Sequence, residues 1–307
     1  MKYSLDKLYS SVGITKQAVH QYEKRQQELE IRVSILISEV DKLRSEHPGC
    51  GVEKMYFTLK PDFIGRDRFI ELFMKLGYRI KKNKNYRKTT YRSKHAKYQN
   101  LIEGLLLHSS NQVWQSDITY IRIKDRFYYA VFIIDVYTKK IVGYNISDSL
   151  RAQANVKALK MATNSNGWPV IHHSDRGSQY VYHVYTDLLT SNGSLISMGD
   201  TALDNAYAER INQTIKTEYL DYWEPKDYKQ LKLLTKRAVN NYNRKRIHNH
   251  LDRKTPVAFE REILNLPVHN RPMATIYADG RIKTERTSSP LPSYAQQDLQ
   301  TQICPIY

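Results

Sequence analysis

VWQSDITYIRI at residues 113–123 and FYYAVFIIDV at residues 127–136 are dense in β-branched and aromatic residues, with Lys124-Asp125-Arg126 between them. Runs of this kind, separated by a short polar turn, read as paired strands. A third run, IVGYNI at residues 141–146, follows Thr138-Lys139-Lys140. Three strands in an antiparallel meander are therefore predicted. Toward the C-terminus the pattern alternates. A helix is expected from Ala154 to Ala162, a short strand at Val170-Ile171-His172, a helix from Ser178 to Leu189 and a strand at Leu195-Ile196-Ser197. Helices from Asn205 to Leu220 and from Tyr228 to Tyr242 complete the unit. Strands followed by alternating strands and helices predict an α/β fold with a mixed sheet.

Toward the N-terminus the period changes to that of helices. Leu5, Leu8 and Val12, a break at Gly13, then Thr15 ahead of Ala18, Val19 and Tyr22 have the spacing of a helix-turn-helix. A long amphipathic helix is expected from Gln26 to Glu46, ended by His47-Pro48-Gly49. A second helical pair follows, with Met55, Tyr56 and Leu59 on one helix and Phe69, Leu72, Phe73 and Leu76 on the next. From Arg79 to Lys97 the chain carries nine Lys or Arg and no acid, among them Lys81, Lys82, Lys84, Arg87, Lys88 and Arg92, interleaved with Tyr86 and Tyr91. Such a segment suits contact with phosphates and stacking on bases, although charged linkers are often just solvated. The expected division is a helical module at 1–78, a basic linker at 79–109, a mixed α/β core at 110–262 and a C-terminal tail at 263–307. Within that tail, Ala274 to Thr284 suits a hairpin around Asp279-Gly280, and Ser288 to Gln302, rich in Ser, Pro and Gln, reads as disordered.

Composition narrows the function classes. The 307 residues carry 48 Lys and Arg against 31 Asp and Glu, a net charge of +17 that favours a polyanionic partner. Nucleic acid is the leading one. The apolar run from Ala130 to Val136 contains Asp135 and falls far short of the roughly 20 residues a membrane span needs. The start of the chain lacks the apolar stretch of a signal peptide, so a cytoplasmic protein is expected. Cys50 and Cys304 have neither framework nor CxxC spacing.

Three acids stand where chemistry is expected. Asp117 lies within the first strand, among apolar neighbours where an unpaired carboxylate is costly. Asp175 ends the fourth strand, and Glu209 lies one turn into a helix, with Asn205 at i−4 placed to orient it. Taken singly, Asp175 reads as a helix cap and Glu209 as a surface acid. Together, three carboxylates from separate elements can hold two Mg²⁺ about 3.5–4 Å apart, the chemistry of phosphodiester cleavage. Asp135 reads instead as a turn-capping residue bonded to the 137–139 backbone. His172 and His173 are adjacent on a strand, point to opposite faces and cannot share one zinc ion. Arg210, Lys216 and the stretch from Arg237 to Arg246 put basic charge near the Glu209 helix, which suits contact with target or end DNA, while some of it is simply solvated surface.

The strings Trp114-x-x-Asp117-x-Thr119-Tyr120, His173-Ser174-Asp175-Arg176-Gly177-Ser178-Gln179-Tyr180 and Asp204-Asn205-Ala206-x-x-Glu209 resemble the catalytic motifs of insertion-sequence-three transposases, bacterial relatives of retroviral integrases. The resemblance extends to Tyr242-Asn243-x-x-Arg246-x-His248 and Thr255-Pro256, and covers most of residues 1–262. It implies a ribonuclease-H-like core in which Asp117, Asp175 and Glu209 form an Asp-Asp-Glu triad binding two Mg²⁺, with Mn²⁺ as a substitute. His173, Arg176, Gln179, Asn205, Arg210 and Lys216 would stand behind the ligands or against DNA. The implied activity is cleavage at the inverted-repeat ends of a mobile element and transfer to target DNA. The implied partners are further copies of the chain on DNA and an upstream-frame transposase protein. One departure is a shorter spacing between Asp175 and Glu209 than the family usually shows, with the shortening before Asp204; Glu218 is the alternative third ligand. Two other functions remain open: a tyrosine recombinase using His250, Arg253 and Tyr277, and a non-catalytic DNA-binding repressor.

Overall fold

The computed structural model describes residues 4–80, 98–199, 203–276 and 282–285. The chain divides into two units, Met1–Lys81 and Lys82–Tyr307. The basic residues Lys81, Lys82, Lys84, Arg87, Lys88 and Arg92 lie outside the described residues.

In the first unit, helix α1 (Leu5–Val12) ends at Gly13, whose φ of 71° is the left-handed conformation that closes a helix. Thr15 then caps α2 (Lys16–Glu46) by accepting from the Ala18 amide. Helix, turn and capped helix fall where the spacing places them, but the expected boundary before Gln26 is absent. Residues 16–46 form one continuous helix, because nothing between Tyr22 and Leu29 breaks the turn. Leu5, Leu8, Val12 and Tyr22 are all more than half exposed, so α1 and the start of α2 share no apolar core. The packed part lies further on, where Leu36 and Val40 of α2 meet Val52 and Met55 of α3 (Val52–Leu59) and Phe69 and Phe73 of α4 (Arg66–Lys75). Phe69 and Phe73 lie with ring centroids 4.4 Å apart. Each such buried side chain stabilises by about 1.5–3 kcal/mol.

The second unit is built on a five-stranded sheet of order β4-β3-β2-β5-β6. Strands β2 (Val113–Ile123), β3 (Arg126–Asp135) and β4 (Ile141–Ser147) form the expected antiparallel meander. β5 (Ile171–Ser174) and β6 (Leu195–Met198) add parallel to β2. Alternation along β3 supplies both faces of the sheet. Ala130, Phe132 and Ile134 pack with α7 (Ala206–Ile215) and α9 (Tyr228–Arg244), while Val131 and Ile133 pack with α5 (Gln153–Asn166) and α6 (His183–Thr190). Gly143 allows α5 onto β4, since a Cβ there would stand 2.4 Å from the Ala158 carbonyl oxygen.

Three segments differ from the sequence reading. The helix expected over 178–189 is a single 3₁₀ turn, Ser178–Tyr180, followed by α6, because Tyr180 turns inward and is buried. The helix expected over 205–220 is α7, then a π-helical turn, Lys216–Leu220, and short α8 (Asp221–Trp223). A mostly buried ion pair between Arg246 and Glu218 holds that wider turn, at 2.7 and 2.8 Å. Residues 98–109, expected as the end of the linker, pack on the core instead. Ile102 and Leu107 are buried, and β1 (Leu106–Leu107) pairs with β7 (Met273–Ile276), which in turn pairs with β8 (Ile282–Glu285). That small sheet and α10 (Pro256–Leu264) share a cluster with Val136 and Tyr137.

Candidate active site

β2 and β5 run parallel with Ser116 level with Ser174, so Asp117 and Asp175 are the next residues along each of two neighbouring strands. Asp175 leaves its strand in a tight turn, its Oδ1 accepting from the Gly177 amide at 3.1 Å. Asp117 accepts from Asn212 Nδ2 of α7 at 2.8 Å. Burial first, then the Asp175 carboxylate, with a smaller contribution from Glu209, push the Asp117 carboxyl up to about 7. Glu209 lies in the first turn of α7 on an exposed position. The Asp175 and Glu209 carboxylates thus both act against the charge of Asp117. Among the described residues no three His, Cys, Asp or Glu side chains stand close enough to hold one ion as a set. The donor chemistry nevertheless suits a hard divalent cation: oxygen ligands only, one of them destabilised by like charge that a cation would relieve.

α7 is tied to the Asp117 strand by three amides. Gln115 Nε2 donates to the Asp204 carbonyl at 3.0 Å, and its Oε1 accepts from the Tyr207 and Ala208 amides. Asn205, expected to orient Glu209 directly, is buried and donates to the Ser116 carbonyl at 2.9 Å. Lys216 donates to the Tyr120 carbonyl at 2.9 Å, again on β2. Gln115 and Asn212 were missed in the sequence. The available signals were a glutamine two residues from Asp117 on one strand face, and an asparagine amid the apolar positions Ala208, Ile211 and Ile215.

The histidines behind the site are buried and neutral. His173 pairs through Nδ1 with Ser197 Oγ at 2.8 Å, and His172 through Nε2 with the Tyr185 hydroxyl at 2.9 Å. Burial lowers them to about 4 and about 3. His173 is fully buried, at 0% exposure. Arg176 and Gln179 are partly exposed, Gln179 donating to the Leu150 carbonyl at 3.4 Å, and Arg210 is exposed.

Asp135 is held quite differently. It is 1% exposed and accepts from the Thr138 amide, the Thr138 hydroxyl and the Asn111 amide at 2.6–2.7 Å. It closes a turn.

A central antiparallel meander extended by two parallel strands, with helices on both faces and carboxylates at the β2–β5 junction, defines a ribonuclease-H-like core. The Integrase core domain family matches residues 108–202, and a second family of the same description matches 194–256. An IS600 protein described as an uncharacterized 31 kDa protein, from Shigella sonnei, is 33% identical over 64% of this chain and 75% of its own length. The transposase of IS629 from the same organism is 31% identical over 74% of this chain and 79% of its own. The chain belongs to the insertion-sequence-three family of transposases, DNA-acting polynucleotidyl transferases with an integrase core. Among solved structures, the HTLV-2 integrase catalytic core domain in complex with magnesium aligns over 53% of this chain and 99% of its own, at 19% identity and a TM-score of 0.43. Strand order and register, rather than that superposition, define the fold here. No helix among the described residues is long and apolar enough to cross a membrane.

Proposed function

We propose that Asp117, Asp175 and Glu209 form the metal-binding triad with which this transposase cuts the ends of its element and joins them to target DNA. The observation that carries the reading is the parallel β2–β5 register, which sets Asp117 beside Asp175, with Asn212 of the Glu209 helix bonded to Asp117 and like charge raising its carboxyl to about 7. A site that concentrates like charge in this way is built for a cation. Two Mg²⁺ ions, or Mn²⁺ in their place, would supply activation of an attacking oxygen and stabilisation of the leaving oxygen. Asp117 and Asp175 would hold them from the sheet and Glu209 from α7. Such a site treats a water oxygen and a DNA 3′-hydroxyl alike, so hydrolysis and transfer need no second centre and no covalent protein intermediate.

The basic stretch at 79–97 and exposed Arg210 would lie along phosphates, and the helical unit before it would select the inverted-repeat ends. Assembly of several copies on DNA, with or without an upstream-frame protein, completes the reading in a cytoplasmic setting. The experiment is cleavage and joining of labelled element-end DNA in Mn²⁺. Asp117→Asn, Asp175→Asn and Glu209→Gln are each expected to lose both steps while keeping gel-shift binding. Cleavage that survives any of these changes, or excess chelator, overturns the triad. Denaturant-trapped DNA attached to a tyrosine would restore the recombinase alternative.

A further inference from the structure

Gln115 and Asp117 share one side of β2, because strand side chains alternate. Gln115 is 2% exposed and spends its amide on the start of the Glu209 helix. Its Oε1 accepts from Tyr207 N at 3.1 Å and from Ala208 N at 3.4 Å, while its Nε2 donates to Asp204 O at 3.0 Å. Tyr207 and Ala208 are the second and third residues of α7, whose amides lack partners within the helix. The residue before a helix usually supplies that cap. Here Asn205 occupies that place and makes no side-chain cap, its amide being committed to Ser116 O. The cap comes instead from the strand that bears Asp117.

We propose that Gln115 is a positioning residue of the transposition site: by capping α7 from β2 it fixes Glu209 relative to Asp117 and sets the affinity of the site for divalent ions. Glu209 is exposed and sits one residue beyond Ala208, so its direction follows the first turn of the helix. Asn212, one turn later, bonds Asp117 itself, so a loosened first turn disturbs two acids at once. The proposal rests on the triad reading above.

The test is Gln115→Met in the full-length chain, similar in length but unable to cap. Two quantities are measured without turnover: amide exchange at Tyr207 and Ala208, and Mn²⁺ affinity by paramagnetic resonance titration. Exchange at those amides is expected to rise roughly tenfold, and Mn²⁺ binding to weaken by about 10–100-fold, the range for groups that orient metal ligands. Gln115→Glu keeps the acceptor and should restore slow exchange. Leu189→Ala, a core truncation in α6, should lower Tm and leave Mn²⁺ affinity alone. If Gln115→Met does not fold, Gln115→Asn, one methylene short, should shift both quantities in the same direction by less. Unchanged exchange at Tyr207 and Ala208 overturns the proposal. So does unchanged Mn²⁺ affinity in a chain whose Asp117→Asn variant has lost the ion. If Asp117→Asn retains the ion, the triad reading is what fails, and the cap is then judged on exchange alone.

Discussion

Asp117 in the middle of β2 and Asp135 at the end of β3 are both acids on neighbouring strands of one sheet, yet their surroundings are opposite. Asp135 is enclosed by donors: two amides and a hydroxyl satisfy its oxygens at 2.6–2.7 Å. Asp117 has Asn212 as a side-chain donor and two carboxylates acting against its charge. The donors around Asp135 mark a structural acid, and the like charge around Asp117 suits the metal-binding role proposed above.

The largest expected effect separates the two acids by function. Asp117→Asn should lower cleavage of element-end DNA by about a thousandfold or more, yet leave the metal-free fold at least as stable at pH 7. The sign follows from the raised carboxyl. Between the ordinary value of 3.8 and about 7, the folded chain holds a proton that the unfolded chain has released. Stability of the parent therefore falls as pH rises through that window, and the Asn variant should lack the fall. Urea denaturation in chelator at pH 4, 5.5 and 7 checks it, and equal slopes for the two proteins would erase the contrast.

Asp135→Ala should do the reverse. Orphaning three buried donors costs roughly 3 kcal/mol, read as a drop in the urea midpoint, while activity per folded molecule stays near the parent value. A variant that is stable but inactive would place Asp135 in the chemistry and break the comparison.

Lys139, in the turn that Asp135 closes, is buried against the Tyr207 ring at 3.9 Å and lowered by burial to about 7. The unfolded lysine keeps its proton up to about 10.5, so the parent should gain stability as pH rises from 7 toward 10. Lys139→Met should remove that gain, as measured by denaturation at pH 7, 8.5 and 10. A rise that persists in the variant assigns it to another group. The smallest effect belongs to Thr138→Val, which keeps shape and loses the hydroxyl bond to Asp135, at about 1 kcal/mol. A loss as large as that of Asp135→Ala would mean that the hydroxyl, not the amides, holds the carboxylate.

Much of the core was legible because its cues are local. The meander showed in three β-branched runs cut by polar turns, and the acids showed in motif strings that place each on its own element. The reading failed where a local signal needed a tertiary partner to become structure. Leu5, Leu8 and Val12 form α1 and Thr15 caps the next helix as expected, but the local pattern did not show that this helix runs unbroken for 31 residues to Glu46. Residues 98–109 carry too little pattern to reveal that Leu107 pairs with β7 and that Ile102 is buried in the same cluster.

Residue identity and spacing thus decided the order of elements, the mixed sheet and which acids to examine, since side-chain alternation and turn chemistry act over a few positions. Tertiary structure alone decided which acid is enclosed by three donors and which also meets the charge of other acids. It also decided that the helix bearing Glu209 is capped from 92 residues away by Gln115. Charge and hydrogen bonding act through space, and the groups that set them for Asp117 come from β5 and α7, distant along the chain and adjacent only once the sheet has formed.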